Sequence, residues 1–220
     1  MPCFVRAMKK GAEELKSQWL AEEGVAFQGW DWSRLEGRQL TEALPWDYGE
    51  IARSALRPET RLLDMGTGGG EFLLSPGHPP KNCSVTEGYA PNLRLCEERL
   101  APLGVTVRGI GESDRIPYGD AEFDLVLNRH ESFDAEEVFR VLKPDGSFIT
   151  QQVGCWNNRA LIEALLPGQK TLFPGHDLEG ARKKLECAGF IIERAEESFP
   201  LARFMDIGAV VYYAKIIEWE

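Results

Sequence analysis

The sequence predicts an open three-layer α/β sandwich: a mostly parallel sheet of seven strands, the last two forming an antiparallel edge, with helices on both faces. A helical segment precedes the sheet. Three observations carry this expectation. From residue 61 onward, short apolar runs alternate with helical stretches, the rhythm of parallel strands joined by crossover helices. Glycines crowd the turn after the first of these runs, at residues 66–70. The chain also has 220 residues, 43% hydrophobic and 27% charged, the balance of a folded domain rather than a disordered one.

The elements follow in order. Ala12, Leu15 and Trp19 recur at helical spacing, and Gly24 ends the pattern. Ser33-Arg34-Leu35-Glu36 reads as a capping box, and Asp47-Tyr48-Gly49-Glu50 as a second helix start, closed by Pro58. Strands are expected at 61–65, 83–87, 105–110, 123–128 and 147–153. Between and after them, helices are expected at 72–74, 91–103, 134–142, 159–166 and 178–188. Residues 191–199 and 208–216 have no helical pattern between them and are expected as the antiparallel edge pair.

Four of the six tryptophans fall before residue 50. Residues 1–57 are therefore expected to be an aromatic helical lid, and 58–220 the ligand-binding sheet domain. Trp46 and Tyr48, in the loop before a capped helix, are the aromatics expected to face a ligand. The alternative is that these rings simply pack the helices on the sheet.

Composition excludes several classes. With 25 Lys+Arg against 35 Asp+Glu the net charge is −10, which disfavours a nucleic-acid partner because phosphate binding runs on clustered cations. No apolar run reaches the roughly 18 residues of a membrane span. The start, Met1-Pro2-Cys3-Phe4-Val5-Arg6, lacks the basic-then-apolar order of a signal peptide. The five cysteines form no C-x-x-C pair and there are only three histidines, so neither a zinc site nor a disulfide framework is expected. A cytoplasmic, metal-free domain fits these exclusions.

In open α/β sheets the ligand sits beyond the carboxyl ends of the strands, at the switch point beside the first one. That place falls to Leu62-Leu63-Asp64-Met65-Gly66-Thr67-Gly68-Gly69-Gly70-Glu71. A dinucleotide fingerprint would put a third glycine at position 71, where Glu71 stands. A carboxylate there would repel a pyrophosphate, which disfavours a nicotinamide oxidoreductase. No Lys-Ser or Lys-Thr follows to make a P-loop. Glycines at 66, 68 and 70, with Asp64 before them, suit a phosphate-free, cationic nucleoside.

This segment resembles motif I of the class I S-adenosylmethionine-dependent methyltransferases, whose fold is Rossmann-like. Further resemblances follow in register: Glu87 at the end of the second strand, Gly111-Glu112-Ser113 with Ile116-Pro117-Tyr118 after the third, Phe123-Asp124-Leu125-Val126-Leu127-Asn128 as the fourth, and Leu142-Lys143-Pro144-Asp145-Gly146 before the fifth. The resemblance implies S-adenosylmethionine as cofactor, with S-adenosylhomocysteine as its product. The backbone of Gly66, Thr67, Gly68 and Gly70 would pass under its methionine part, and Asp64 would order the loop or meet the amino group. Glu87 would hold the ribose, Glu112 and the Ser113 amide the adenine, and Asn128 would line the floor on the methyl-donor side. Gly88 departs from the family, which usually has an apolar side chain there against the adenine; Tyr89 is the available substitute.

Methyl transfer from a sulfonium needs alignment in a dry pocket more than it needs a base. Candidates at the ends of the fourth and fifth strands include His130, whose ordinary pKa would let it act as one. The fourth strand lacks the Asn/Asp-Pro-Pro-Tyr/Phe sequence of amino-methylating enzymes, and no Pro-Cys pair supplies the thiol of cytosine C5 methylation. A small-molecule acceptor is the favoured reading. The alternatives are an rRNA or tRNA base methyltransferase, or a cofactor-binding regulator that transfers nothing.

Overall fold

A computed structural model of the chain describes residues 2–26, 32–75, 77–111, 115–171 and 173–217, with side chains from residue 11 onward. The helices are Pro2–Glu23 (α1), Tyr48–Ala55 (α2), Glu71–Leu74 (α3), Ala90–Arg99 (α4), Ala135–Val141 (α5), Arg159–Leu165 (α6), Leu178–Cys187 (α7) and Ile207–Ile216 (α8). The strands are Gln39–Thr41 (β1), Leu62–Met65 (β2), Cys83–Glu87 (β3), Thr106–Gly109 (β4), Phe123–Arg129 (β5), Leu142–Gln151 (β6) and Ala202–Phe204 (β7).

Two compact units result. The larger, Pro45–Ser198, holds a five-stranded sheet of order β4-β3-β2-β5-β6 in which every pairing is parallel. Its two faces are covered by separate apolar clusters. Leu62, Val85, Leu125 and Leu127 pack with Ala52 of α2, Leu73 of α3 and Cys96 of α4. Leu63, Met65 and Val126 pack with Val138 and Val141 of α5. Neighbouring residues of one strand thus feed opposite layers, as the pleat requires. The three-layer class expected from the sequence is the one observed. The β5–β6 pairing is irregular between Phe123 and Leu125, where β6 runs from Leu142 to Ser147.

The main sheet has five strands rather than seven, and it has no antiparallel edge. Among the described residues, 191–199 has no regular structure and 208–216 lies in α8. The apolar run Ile207-Gly208-Ala209-Val210-Val211-Tyr212-Tyr213 has strand propensity, but Asp206 accepts a hydrogen bond from the Ala209 amide and starts a helix. Ala209, Tyr212 and Tyr213 are then buried together on one helical face. The antiparallel pair that does form is β1 with β7, in the smaller unit.

That smaller unit joins Met1–Leu44 to Phe199–Glu220. The expected boundary at residue 57 therefore does not coincide with the units. Residues 45–57 belong with the sheet because Tyr48 and Ala52 of α2 are buried in its core. Within the smaller unit α1 packs against α8, and Arg38 donates to Asp206 at 2.7 and 2.9 Å while pairing with Glu22 at 3.1 Å. The expected capping box at Ser33 makes only a single 3-10 turn, Ser33–Leu35, whose N-cap is Trp32. Of the expected lid tryptophans, Trp30 lies outside the described residues. The described cysteines, Cys83, Cys96, Cys155 and Cys187, are unpaired. No described helix is long and apolar enough to cross a membrane.

Candidate functional site

The turn after β2 is built so that only glycine fits at key points. Gly66, Gly68 and Gly70 have φ of +63°, +63° and +78°, a region where a Cβ is penalised. Space adds a second constraint. A Cβ on Gly66 would come within 2.6 Å of the Glu131 side chain, and one on Gly70 within 2.6 Å of Leu100.

Backbone and side-chain hydrogen bonds hold this turn. The Gly66 amide donates to the Thr86 carbonyl at 3.0 Å, continuing the β2–β3 ladder. The Thr67 hydroxyl donates to Asp64 Oδ2 at 2.7 Å. Glu87 reaches across from the end of β3: its Oε2 accepts from the Gly68 amide at 2.9 Å and its Oε1 from the Tyr89 amide at 2.9 Å. Cys96 of α4 donates its thiol to the Gly68 carbonyl at 2.9 Å. Asp64 and Glu87 are only 4% and 5% exposed. Burial, offset in part by the Thr67 bond and reinforced by Glu87, pushes the Asp64 carboxyl up to about 7. Two buried acids and three left-handed glycines thus share one strand end.

Asn128, fully buried at the end of β5, adds an unmet need. Its Oδ1 accepts from Gln152 Nε2 at 2.7 Å, yet its Nδ2 has no hydrogen-bond partner. An orphaned buried amide N–H is costly and marks a place for an acceptor atom. The backbone carbonyl of Asn128 accepts from the Tyr48 hydroxyl at 3.2 Å.

The expected site residues are thus distributed unevenly. Asp64, Gly66, Thr67, Gly68, Gly70, Glu87 and Asn128 cluster at the carboxyl ends of β2, β3 and β5. Gly88 follows on the exposed side, where a Cβ would touch Ile110 at 3.4 Å, and Tyr89 is 63% exposed. Glu112 and Ser113 lie outside the described residues. Tyr48 is not a free aromatic: it is 6% exposed, its hydroxyl is engaged by backbone carbonyls and its ring packs on Phe72 at 5.3 Å. Burial raises its pKa well above the ordinary tyrosine range. Trp46 donates its indole N–H to Gln151 Oε1 at 2.9 Å, and His130, directly after β5, lies beside the same glutamine. Glu71, whose charge argued against a pyrophosphate, is ion-paired with Arg99.

Thr150, Gln151 and Gln152 were not among the expected site residues; the signal for them is a run of three polar residues directly after Phe148 and Ile149. Glu131 was passed over too, since nothing local shows that its side chain turns over Gly66.

A family profile described as a methyltransferase domain matches residues 63–150, the stretch from β2 to the end of the β5–β6 pair. Over that stretch the chain is similar to a methyltransferase domain. The chain is similar to the ubiquinone/menaquinone biosynthesis C-methyltransferase UbiE of Cupriavidus metallidurans, with 30% identity over 112 residues, 46% of each chain. The corresponding protein of Bordetella parapertussis is 27% identical over 115 residues, 47% of this chain and 45% of that one. The chain spans about half the length of the curated relatives it matches. A solved structure of a functionally unknown protein from Deinococcus radiodurans R1 superposes with a TM-score of 0.58 at 15% identity, covering 81% of this chain and 75% of that one. That likeness concerns the fold alone.

Proposed function

We propose that the chain is an S-adenosylmethionine-dependent methyltransferase acting on a small-molecule acceptor. The observation that carries this is the glycine turn with its buried acids, Asp64 and Glu87, and the unpaired Asn128 amide beside it. These groups fit the cofactor. The turn leaves room for a ligand to lie against backbone, and two carboxylates suit a ligand bearing positive charge. Each Glu87 oxygen, having accepted one amide, keeps a lone pair for a ribose hydroxyl. Asn128 Nδ2 would donate to an acceptor atom of the cofactor or substrate. When bound, S-adenosylmethionine supplies a methyl group already activated on sulfur and leaves as a neutral thioether.

The protein's own part is then to orient and to exclude water. Asp64 and Glu87 hold the loop in shape before any ligand arrives, so the cost of ordering it falls on folding rather than on binding. A carbon acceptor is the finer reading, supported by the C-methyltransferase names of the similar proteins. The net charge of −10 favours a small molecule over nucleic acid.

Calorimetric titration with S-adenosylhomocysteine tests the reading. Binding to the wild-type chain is expected, weakened at least tenfold in Glu87→Ala through the lost ribose contacts and the released Gly68 amide. No heat at hundreds of micromolar with the wild-type chain would overturn it.

A further inference from the structure

At the ends of β5 and β6 three side chains form a chain of hydrogen bonds whose direction follows from chemistry. The Trp46 indole nitrogen can only donate, and it lies 2.9 Å from Gln151 Oε1. That contact settles which end of the Gln151 amide faces which neighbour. The amide nitrogen, which also can only donate, therefore faces His130 Nε2 at 3.4 Å. Nε2 must then offer its lone pair. A neutral imidazole carries one N–H, so the proton sits on Nδ1.

We infer that Trp46 and Gln151 are positioning residues for His130, holding its imidazole neutral with the proton on Nδ1, so that it serves as a hydrogen-bond donor to the methyl acceptor and not as a base. A proton added at Nε2 would meet the Gln151 N–H head-on. Turning the amide over to receive that proton would set its nitrogen against the Trp46 N–H. The base expected from the sequence is thus blocked at the nitrogen that would accept.

The backbone supports the same arrangement. His130 has φ of +64°, an uncommon conformation for a residue with a Cβ and one that persists where surroundings enforce it. The enforcing contact is its own amide, which donates to the Gln151 carbonyl at 2.9 Å. The same residue of β6 therefore fixes both the backbone and the ring of His130. With Nε2 engaged, Nδ1 is the other polar atom of the ring. The charged neighbours are Arg129, preceding it on β5, and Glu131, following it, whose carboxylate turns over Gly66. Displacement of water around the ring, with Arg129 adding repulsion, lowers the His130 pKa, consistent with a neutral imidazole.

The donor role at the acceptor rests on the methyltransferase reading above; the tautomer does not. The test is nitrogen NMR of the full chain labelled with 15N-histidine. Its three histidines are few enough for the His130 signal to be assigned by its loss in His130→Asn. The expected wild-type spectrum has Nδ1 protonated, Nε2 bare and a pKa below the ordinary value of about 6.5. In Gln151→Glu both side-chain oxygens accept, so one can keep the Trp46 bond while the other takes a proton from His130. The proton is expected to move to Nε2 and the pKa to rise by at least about one. In Trp46→Phe the amide is free to turn, and the Nδ1–H preference is expected to be lost while Gln151 remains. A wild-type proton on Nε2, or a Gln151→Glu chain that folds but keeps both tautomer and pKa, overturns the inference. Absence of S-adenosylhomocysteine binding by the wild-type chain overturns the donor role at the acceptor, and is read separately by calorimetry.

Discussion

Asp64 keeps its place under the glycine turn at an electrostatic cost. It is buried next to Glu87 and accepts a hydrogen bond from the Thr67 hydroxyl. With its carboxyl pushed up to about 7, against about 3.9 in an unfolded chain, the folded state holds a proton that the unfolded state has already released. Stability contributed by this residue therefore falls as pH rises from about 4 to about 7 and levels off above. Asp64→Asn should remove that fall. The difference in unfolding free energy between wild type and variant, measured by urea titration across this window, should shift steadily in favour of the variant. A difference that is flat with pH would show that the carboxyl is not held protonated. The residue was legible in the sequence from its place before the glycines. Its protonation was not, because burial beside a second acid depends on β3 arriving next to β2.

At the scale of elements, the turn between β2 and α3 combines a backbone constraint with a packing one. Gly66→Ala should lower stability by about 1–3 kcal/mol, through a left-handed φ and the encounter with Glu131. Adding Glu131→Ala should return the part due to the encounter and leave the backbone part, which thermal unfolding of the single and double variants would separate. Full recovery would mean the backbone carries no strain. The parallel strands were legible because each is a short apolar run between helices, and β3 keeps its expected limits. Helix α8 was not, because Val210, Val211 and two tyrosines have strand propensity. Asp206 and the burial of Ala209, Tyr212 and Tyr213 on one face decide otherwise. Asp206→Ala should cost about 1 kcal/mol as a lost cap, visible as reduced helical signal and lower denaturant midpoint. An unchanged midpoint would contradict the capping role.

Over the whole molecule, the two units are assembled differently. Pro45–Ser198 is one continuous stretch, whereas the other unit brings residues from both sides of it together. Contacts such as Arg38 with Asp206, and β1 with β7, join positions far apart in sequence, and they carry a loop-closure cost that local contacts do not. The net charge of −10 is only in small part explained by the acids at the proposed site. Other carboxylates have visible structural duties: Glu137 ties the Ile116 amide and Arg140 together, and Asp134 caps α5.

What the sequence determined by itself was the chemistry carried by neighbours in the chain: the glycine turn, the acid before it, the strand–helix alternation, and Glu87 and Asn128 at the ends of their strands. Those features depend on local geometry and on periodicities of about two and 3.6 residues, which survive translation into structure. The tertiary fold alone decided which strand ends meet, that the Asp64 carboxyl is pushed up to about 7, that Asn128 has an amide to spare, and that Trp46 and Gln151 close on His130. Each of those depends on groups brought together across tens of residues, where burial and hydrogen-bond direction are set by the neighbour and not by the residue itself.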